Sequence, residues 1–357
     1  MLIIILSITG CKSFDAYSKN KQGMPQVRIG YFHGGRTSIL FRAYLDNYFE
    51  KEFVNVSLIT KSLNDKDFHT LQRVYTNEFN LNGKVNGEEL IDMVVAGNLE
   101  GATVGESSFI TAATHGLPII AVAELGHDLK DQPGHAIIFN KNVKINTSSD
   151  IKGKTLATRR SGFGDEVFLR EFLMNEGVDP KKDVKIIDDV PDDELNQGII
   201  NKTFDGAYYH LNALGYLVEN NYAYIYRKMD WVNPELSQAV LIFRKDFAGK
   251  NPTSVEKIIR AYMKRIDFEH KLSLDERRSV AKDGFKKLFK KGLQIEIDYN
   301  GMNFPQYDPN PLVNSTLLNQ MQDLLLKHGY IPEKINLNNF IDNSFVNLVS
   351  KELRTGI

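Results

Sequence analysis

Four short segments place polar or charged side chains after a predicted strand or at the start of a predicted helix. In α/β proteins such loops bind small molecules, because the carboxyl ends of parallel strands meet at one edge of the sheet. These four loops therefore predict a ligand-binding site. Its candidate residues are His33, Gly34, Gly35, Arg36 and Thr37 in the first loop, Glu106, Ser107 and Ser108 in the second, Arg159, Arg160, Ser161, Gly162 and Phe163 in the third, and Asp205, Tyr208 and Tyr209 in the fourth.

Arg36 is the charged residue of the first loop. Its guanidinium offers five donors in a rigid fork, which suits a carboxylate, a sulfonate or a phosphate. Gly34 and Gly35 permit a close approach of the backbone to a ligand. The alternative is an ordinary turn that carries a surface arginine.

The second and third loops open helices, where free backbone N–H groups and the helix dipole favour an anion. Ser107 and Ser108 offer hydroxyl donors, whereas Glu106 could simply complement the dipole. Arg159 and Arg160 precede the Gly/Ser turn of the third loop. Neighbours on a strand point to opposite faces, so we expect only one of these arginines to face the ligand. A plain helix cap is the alternative for this loop.

Aromatic and imidazole side chains complete the candidate set. Tyr208 and Tyr209 could stack on a flat ligand or hydrogen-bond to it, and a structural role is equally compatible with their positions. No two of the histidines that could reach the cleft stand at helical i, i+4 spacing, so the sequence predicts no metal site. An imidazole that donates a hydrogen bond to an anionic ligand is favoured instead, with His135 as the candidate. The histidines considered are His33, His127, His135 and His210.

Several function classes are excluded by what the sequence lacks. The 44 Lys and Arg residues are balanced by 45 Asp and Glu residues, so there is no basic field for a nucleic acid. Cys11 is the single cysteine, which excludes an internal disulfide and a zinc site built from several thiolates. There is no Gly-x-Ser-x-Gly elbow, and no Lys-Ser/Thr follows the Gly/Ser loop. We therefore expect no catalytic residue and no cofactor.

The elements that must position these loops alternate between strands and helices. A length of 357 residues suggests about two domains. Apolar patterning predicts two α/β units with mainly parallel sheets, followed by a mainly helical tail. Predicted strands include 27–32, 54–60, 102–105, 117–125, 135–141, 184–190 and 222–228, and residues 204–210 are predicted to be a strand and turn. Predicted helices include 38–52, 87–98, 106–115 and 191–201, and residues 161–177 are predicted to be a Gly/Ser loop that opens a helix. Residues 61–87 are predicted to be an insertion.

The amino terminus has the pattern of an export signal. Residues 1–10 are uncharged and apolar or small, and the run is too short to span a bilayer. Its end, Ile8-Thr9-Gly10-Cys11, resembles a bacterial lipobox. That resemblance implies cleavage before Cys11, lipidation of its thiol and a polar tether over 12–25. We expect an exported protein that is lipid-anchored to a bacterial membrane and faces the periplasm or the cell exterior.

Five further segments, in order, resemble the solute-binding proteins of ABC importers. The resemblance is to the branch that binds sulfonates, nitrate and pyrimidine precursors of thiamine, and it covers roughly residues 26–270. The segments are VRIGYF, LIDMVVAGNLEGATVGESSFITAATHGLPIIAVAEL, SSDIKGKTLATRRSGFGDEVFLREFLMNEGVDPKKDVKII, FDGAYYHLNALGYLVEN and QAVLIFRKDFAGKNPTSVEKIIRAY.

This resemblance implies a type II periplasmic-binding fold with two lobes, a hinge and a ligand between the lobes. It implies a first lobe over 26–130, a second over 131–240, and a return segment and helical tail over 241–357 that packs on the first lobe. It also implies ligand contact at the Glu106 turn, an ABC permease with its ATPase as partner, and a monomer.

The predicted function is capture of a small anionic organic solute of the sulfonate, nitrate or pyrimidine-precursor class. Two alternatives stay open. One is an enzyme on the same fold in thiamine-precursor or menaquinone synthesis, although the cysteine-rich motif of the yeast-type pyrimidine synthase is absent and this chain carries an export pattern. The other is a ligand-binding partner of a signalling receptor.

Overall fold

The computed structural model describes residues 23–32, 35–61, 68–70, 87–159, 161–190, 192–210, 217–218, 220–280 and 304–355. Several predictions fall outside these ranges. They concern the lipobox with Cys11, most of the tether and of the 61–87 insertion, and three candidate site residues, namely His33, Gly34 and Arg160.

The described strands form two separate sheets. The strands are β1 (Gln26–Gly30), β2 (Asn55–Lys61), β3 (Phe68–Thr70), β4 (Gly101–Gly105), β5 (Ile119–His127), β6 (His135–Asn140), β7 (Thr155–Ala157), β8 (Lys185–Ile187), β9 (Gly206–His210), β10 (Ala223–Lys228) and β11 (Gln238–Arg244). The first sheet has the order β3-β2-β1-β4-β11-β5 and the second has the order β10-β6-β9-β7-β8. We refer to these sheets with their helices as lobe 1 and lobe 2.

The expectation of mainly parallel sheets is wrong. Both sheets are mixed, since β1 pairs in parallel with β2 and β4, whereas β11 is antiparallel to both β4 and β5. In lobe 2, β7 is parallel to β8 and β9, but β6 is antiparallel to β9 and β10. The reason is topological: β11 returns into lobe 1 between two strands that run the other way.

The helices surround the two sheets and mostly follow the predicted pattern. They are α1 (Ser38–Leu45), α2 (Tyr48–Lys51), α3 (Gly87–Val95), α4 (Glu106–Thr114), α5 (Gly164–Asn175), α6 (Asp192–Ile200), α7 (Lys245–Lys250), α8 (Pro252–His270), α9 (Ser315–Lys327) and α10 (Ser344–Thr355). The single helix predicted over 38–52 is two helices, because Asn47 adopts a left-handed conformation with φ of 57°. Asparagine tolerates that conformation better than most residues.

Buried apolar side chains hold the tail helices on lobe 1. Tyr262 and Ile266 of α8 and Val349 of α10 belong to one core cluster with Val27 and Leu125 of the first sheet. A second cluster joins the lobes, since it contains Phe109 of α4 as well as Phe168 and Phe172 of α5. Helices α8 and α10 are therefore part of the packed core of lobe 1.

An ion-pair network lies within the packing of α8 on α1. Both carboxylate oxygens of Glu269 accept hydrogen bonds from Arg42 Nη1, at 2.8 and 3.0 Å, and Oε2 also accepts from Arg265 Nη1 at 2.9 Å. Glu269 and Arg265 are fully buried. One carboxylate thus compensates two guanidiniums, and Arg265 Nε also lies 3.3 Å from Asp46 Oδ2. Loss of Glu269 would leave Arg42 unpaired and Arg265 with this second partner alone, and an unpaired buried charge is costly.

The chain crosses between the lobes at two adjacent places. The last residue of β5, His127, pairs with Gln238 at the start of β11, so the outgoing and returning chains lie side by side. A later segment lies beside the same point, because the backbone groups of Gln306 and His127 exchange hydrogen bonds of 2.8 and 3.1 Å. Next to it, Tyr307 donates its hydroxyl hydrogen to the carbonyl oxygen of Gly35 at 2.7 Å.

Candidate functional site

Arg36 and Glu106 form the lobe 1 side of the candidate site. Arg36 lies in a short 3₁₀ turn after β1, and Glu106 is the first residue of α4. Arg36 Nη1 lies 3.3 Å from Glu106 Oε2 and donates to Ser237 Oγ at 2.7 Å and to the Gln238 carbonyl oxygen at 3.1 Å. The guanidinium therefore joins the first loop, the second loop and the return strand.

Glu106 is buried with polar neighbours on several sides. Burial raises the pKa of its carboxyl group, although the positive charge of Arg36 and hydrogen bonds, including one from Ser107, oppose the shift. Ser107 Oγ donates to Glu106 Oε1 at 3.1 Å. On the lobe 2 side, a Cβ added to Gly164 would lie only 2.6 Å from the same Oε1. The first turns of α4 and α5 thus meet across the two lobes.

His135 and Tyr208 form part of the lobe 2 side. His135 is buried at the start of β6, and its ring stacks on Tyr208 of β9 with centroids 5.2 Å apart. Its Nδ1 lies 2.7 Å from Asp128 Oδ2. Burial would raise the pKa of Asp128, but His135, Arg36 and the backbone of Gly134 lower it below its ordinary value. Asp128 is therefore an ionised partner of His135.

Arg159 joins two further side chains of lobe 2. It donates to Asp165 Oδ2 from Nε at 2.9 Å, and its Nη2 lies 2.7 Å from the same oxygen. It also contacts His210 Nε2. Asp165 is the second residue of α5, so the third loop brings a carboxylate to the site beside its arginine.

Charges from the two lobes act on one another. Burial lowers the pKa of Arg36, but the negative charges of Glu106, Asp128 and Asp165 outweigh it and raise the pKa above its ordinary value. Gln238 adds a polar group next to them, since its backbone N–H points to Glu106 Oε2 at 3.3 Å. The buried side-chain amide of Gln238 has no hydrogen-bond partner among the described residues. The site thus combines positively and negatively charged side chains with polar groups to which a solute could hydrogen-bond.

Three of the predicted site residues, namely Thr37, Ser108 and Tyr209, make structural contacts within their own lobe. Thr37 donates its hydroxyl hydrogen to the Phe32 carbonyl oxygen at 2.7 Å. Ser108 packs against α3, because its Oγ would lie 2.4 Å from a Cβ on Gly87. Tyr209 is in the core of lobe 2 and bonds to the side chain of Asn196. These hydroxyl groups stabilise the elements that carry the site.

Asp205 was expected where a strand ends, and the structure places it where a strand begins. Strand β9 runs from Gly206 to His210, so Tyr208 and Tyr209 are strand residues and His210 is at the carboxyl end. Asp205 Oδ2 accepts from the Thr155 backbone N–H at 2.7 Å. It ties β9 to β7 and is not part of a strand-end loop.

Ser161 of the third loop lines a different cavity, of about 680 Å³. Phe163 precedes the first turn of α5, and the Gly162 N–H donates to Glu166 Oε2 at 2.7 Å. Three of the basic side chains that line the cavity have carboxylate partners, because Arg170 pairs with Glu166 and both Lys327 and His328 pair with Glu171. We favour the interlobe groups as the solute site, since they include unsatisfied polar atoms. The described cavity lining includes Ser161, Glu166, Arg170, Lys327, His328 and Tyr330.

Some residues of the site were missed or undervalued by sequence reasoning. Asp128, Asp165, Ser237 and Gln238 were not candidates, and His210 was considered only as one of four histidines. Asp128 stands in a Gly-bounded linker that suggested a lobe crossing, which was a usable signal. The acidic residue in the first turn of α5 is explained equally well by the helix dipole, so Asp165 carried no distinct signal.

Comparison with known proteins identifies the family. Residues 78–271 match the family model described as NMT1/THI5 like, which is more than half of the chain, so the chain belongs to this family. A relative in Bacillus subtilis (strain 168), binding protein YtlA, is 19% identical over 355 residues, covering 98% of this chain and 96% of the relative.

Solved structures share the two-lobed fold. The nitrate-binding protein NrtA from Synechocystis PCC 6803 has a TM-score of 0.66 at 15% identity, covering 92% of this chain and 89% of its own. The aliphatic sulphonate binding protein SsuA from Escherichia coli has a TM-score of 0.65 at 13% identity, covering 90% and 99%. Both are described as periplasmic. The predicted α/β periplasmic-binding fold and family resemblance are confirmed, and these relatives are binding proteins, as predicted for this chain.

Among the described residues, none of the helices combines the length and the apolar character that a membrane span requires.

Proposed function

We propose that this chain is the solute-binding component of an ABC importer and captures a small anionic organic solute between its lobes. The sulfonate, nitrate and pyrimidine-precursor classes are the first candidates. The observation that carries the proposal is the meeting of Arg36 and Glu106 from lobe 1 with His135, Arg159 and Asp165 from lobe 2.

Arg36 and Arg159 are the proposed anion contacts. Each already has a carboxylate partner, so an anionic solute would compete with Glu106 or Asp165 for the guanidinium. The raised pKa of Glu106 makes its neutral form less costly, which eases that exchange. His135 with Tyr208 offers a stacked aromatic surface for an organic group.

Binding between the lobes would also let a permease recognise the protein that carries a solute. A solute that contacts both lobes stabilises their closed arrangement, and a permease could distinguish the closed form. In this proposal the lobes correspond to 26–130 and 131–240 with the tail 241–357 on lobe 1, and Cys11 anchors an exported monomer to the membrane. Support comes from the family match and from neighbours that bind nitrate and sulphonate.

A thermal-shift screen of the purified protein tests the proposal. The panel holds alkyl and aryl sulfonates, nitrate, carboxylates, pyrimidines and amino acids. A ligand at 100 times its Kd adds about 2.7 kcal/mol of stability, which raises Tm by several degrees. One responding class of anion would support the proposal and name the solute. A folded protein with no response to any anion would contradict it.

A further inference from the structure

We infer that His135, Asp165 and His210 form a binding site for a divalent transition-metal ion, with Zn²⁺ as the first ion to test. Ligand atoms of these three residues all lie within 4.8 Å of one another. Two imidazoles and one carboxylate are the donor set of metal sites that keep a position open for water or another ligand. The inference revises the sequence-based expectation of no metal, and it does not depend on the proposed organic solute.

The two histidines face the same side of one sheet. His135 of β6 and His210 of β9 are direct partners in the antiparallel register, and their ring centroids are 4.1 Å apart. Opposite residues on antiparallel strands project from the same face with Cβ atoms about 4.5–5.5 Å apart. Asp165 reaches them from the first turn of α5. All three donors therefore stand on regular elements, which hold ligands more accurately than loops.

Asp128 positions His135 for this role. A carboxylate only accepts hydrogen bonds, so the 2.7 Å contact with Oδ2 places the imidazole proton on Nδ1 and leaves the Nε2 lone pair for a metal. The Gly134 N–H holds the same oxygen at 3.1 Å. Metal-bound histidines usually have such a carboxylate or carbonyl partner on the second nitrogen. Asp128 is thus a positioning residue and not a metal ligand.

Arg159 supplies a cation at the same place. Its guanidinium donates to Asp165 Oδ2 and contacts His210 Nε2, two atoms that would bind the metal. The lone pairs of both atoms therefore already point toward the positive charge of Arg159. A metal ion must displace the guanidinium, so removing its charge with Arg159→Met is expected to strengthen metal binding.

Direct titration of the full chain tests the site. Protein freed of metal by a chelator is titrated with Zn²⁺ in a calorimeter and with Co²⁺ in a visible spectrophotometer. We expect one ion per chain and ligand-field bands for Co²⁺. His210→Ala and Asp165→Asn should each weaken binding at least about tenfold, and Asp128→Asn by about 10–100-fold. His115→Ala is the matched control, because His115 is exposed at the end of α4.

Two results would overturn the inference. One is a wild-type protein with a normal thermal transition that takes up no Zn²⁺ or Co²⁺. The other is binding that His210→Ala and Asp165→Asn leave as strong as His115→Ala does. Anion capture is measured separately in the presence of chelator, so a protein that binds an anion but takes up no metal in the titration contradicts only this inference. A protein that binds metal and no anion contradicts only the proposed function.

Discussion

Arg36 Nη1 lies 3.3 Å from Oε2 of Glu106, so the arginine of the first strand-end loop and the carboxylate of the second are an ion pair. The same nitrogen donates to Ser237 and to the backbone of Gln238. The proposed anion contact therefore also ties β11 to the first loop. Tests of its role must separate solute affinity from stability.

Replacing Arg36 with alanine is expected to lower solute affinity by roughly 10- to 100-fold. A hydrogen bond to a charged group contributes about 1.5–3 kcal/mol, and each 1.4 kcal/mol is a factor of ten. Calorimetry with the solute found by screening measures the change. Arg28→Ala is the control, because Arg28 pairs with Glu100 on the same sheet. Equal affinity of both variants would remove Arg36 from the site, and their Tm values report any loss of fold.

Replacing Glu269 with alanine is expected to cost about 3–5 kcal/mol of unfolding free energy. The change leaves Arg42 and Arg265 as buried cations without their shared carboxylate. Asp267→Ala lies on the same helix and breaks only an exposed pair with Lys271, so we expect a cost below about 1 kcal/mol. Urea unfolding compares the two. Similar losses would contradict the assignment of the network as a main support of α8.

His328 is expected to make the protein less stable as the pH falls from 7 to 5. Burial lowers the pKa of this imidazole, although the neighbouring Glu171 opposes the shift. As the pH falls, the imidazole of the unfolded chain therefore binds a proton at a higher pH than the imidazole of the folded protein does. Protonation favours the unfolded state, so the free energy of unfolding falls once the pH drops below the pKa of the unfolded chain. Urea unfolding at several pH values should give a flatter profile for His328→Gln. A profile identical to that of His115→Gln would refute the prediction.

Two glycine substitutions are expected to act in opposite directions. A Cβ at Gly206 would lie 2.5 Å from the Ile138 carbonyl oxygen, so Gly206→Ala must separate β9 from β6 and destabilise lobe 2. A Cβ at Gly249, inside α7, has no neighbour within 4 Å. Gly249→Ala should therefore stabilise by roughly 0.5–1 kcal/mol through helix propensity. Thermal unfolding measures both, and a neutral Gly206→Ala would show that the two strands are less closely packed.

Cys11→Ser is expected to release the protein from the membrane fraction. The prediction depends on the lipobox pattern alone, because Cys11 lies outside the described residues. Each buried CH₂ of a lipid adds about 0.8 kcal/mol of membrane affinity, so loss of the chains should be plain in cell fractionation. Ser13→Ala is a nearby control. Unchanged membrane association of the cysteine variant would contradict lipidation at this residue.

The order of strands and helices was predictable because it depends on local apolar periodicity. The pairing of strands was not, since β11 enters lobe 1 about a hundred residues after its neighbours β4 and β5. The same limit applies to the site. Arg36 and Arg159 are recognisable by charge next to glycine, whereas His135 and His210 become partners only through the register of β6 and β9. Asp205 was misplaced because a strand start and a strand end share the same small and polar residues.

The side-by-side chain crossings at His127 and Gln238 have a consequence for synthesis. Every strand of the second sheet lies within 135–228, so the sequence of that sheet is synthesised before β11. The first sheet, in contrast, lacks the strand between β4 and β5 until residue 244 has been made. The lobe whose sequence begins first is therefore completed last, and a chain that ended near residue 235 would contain every strand of the second sheet but lack one internal strand of the first.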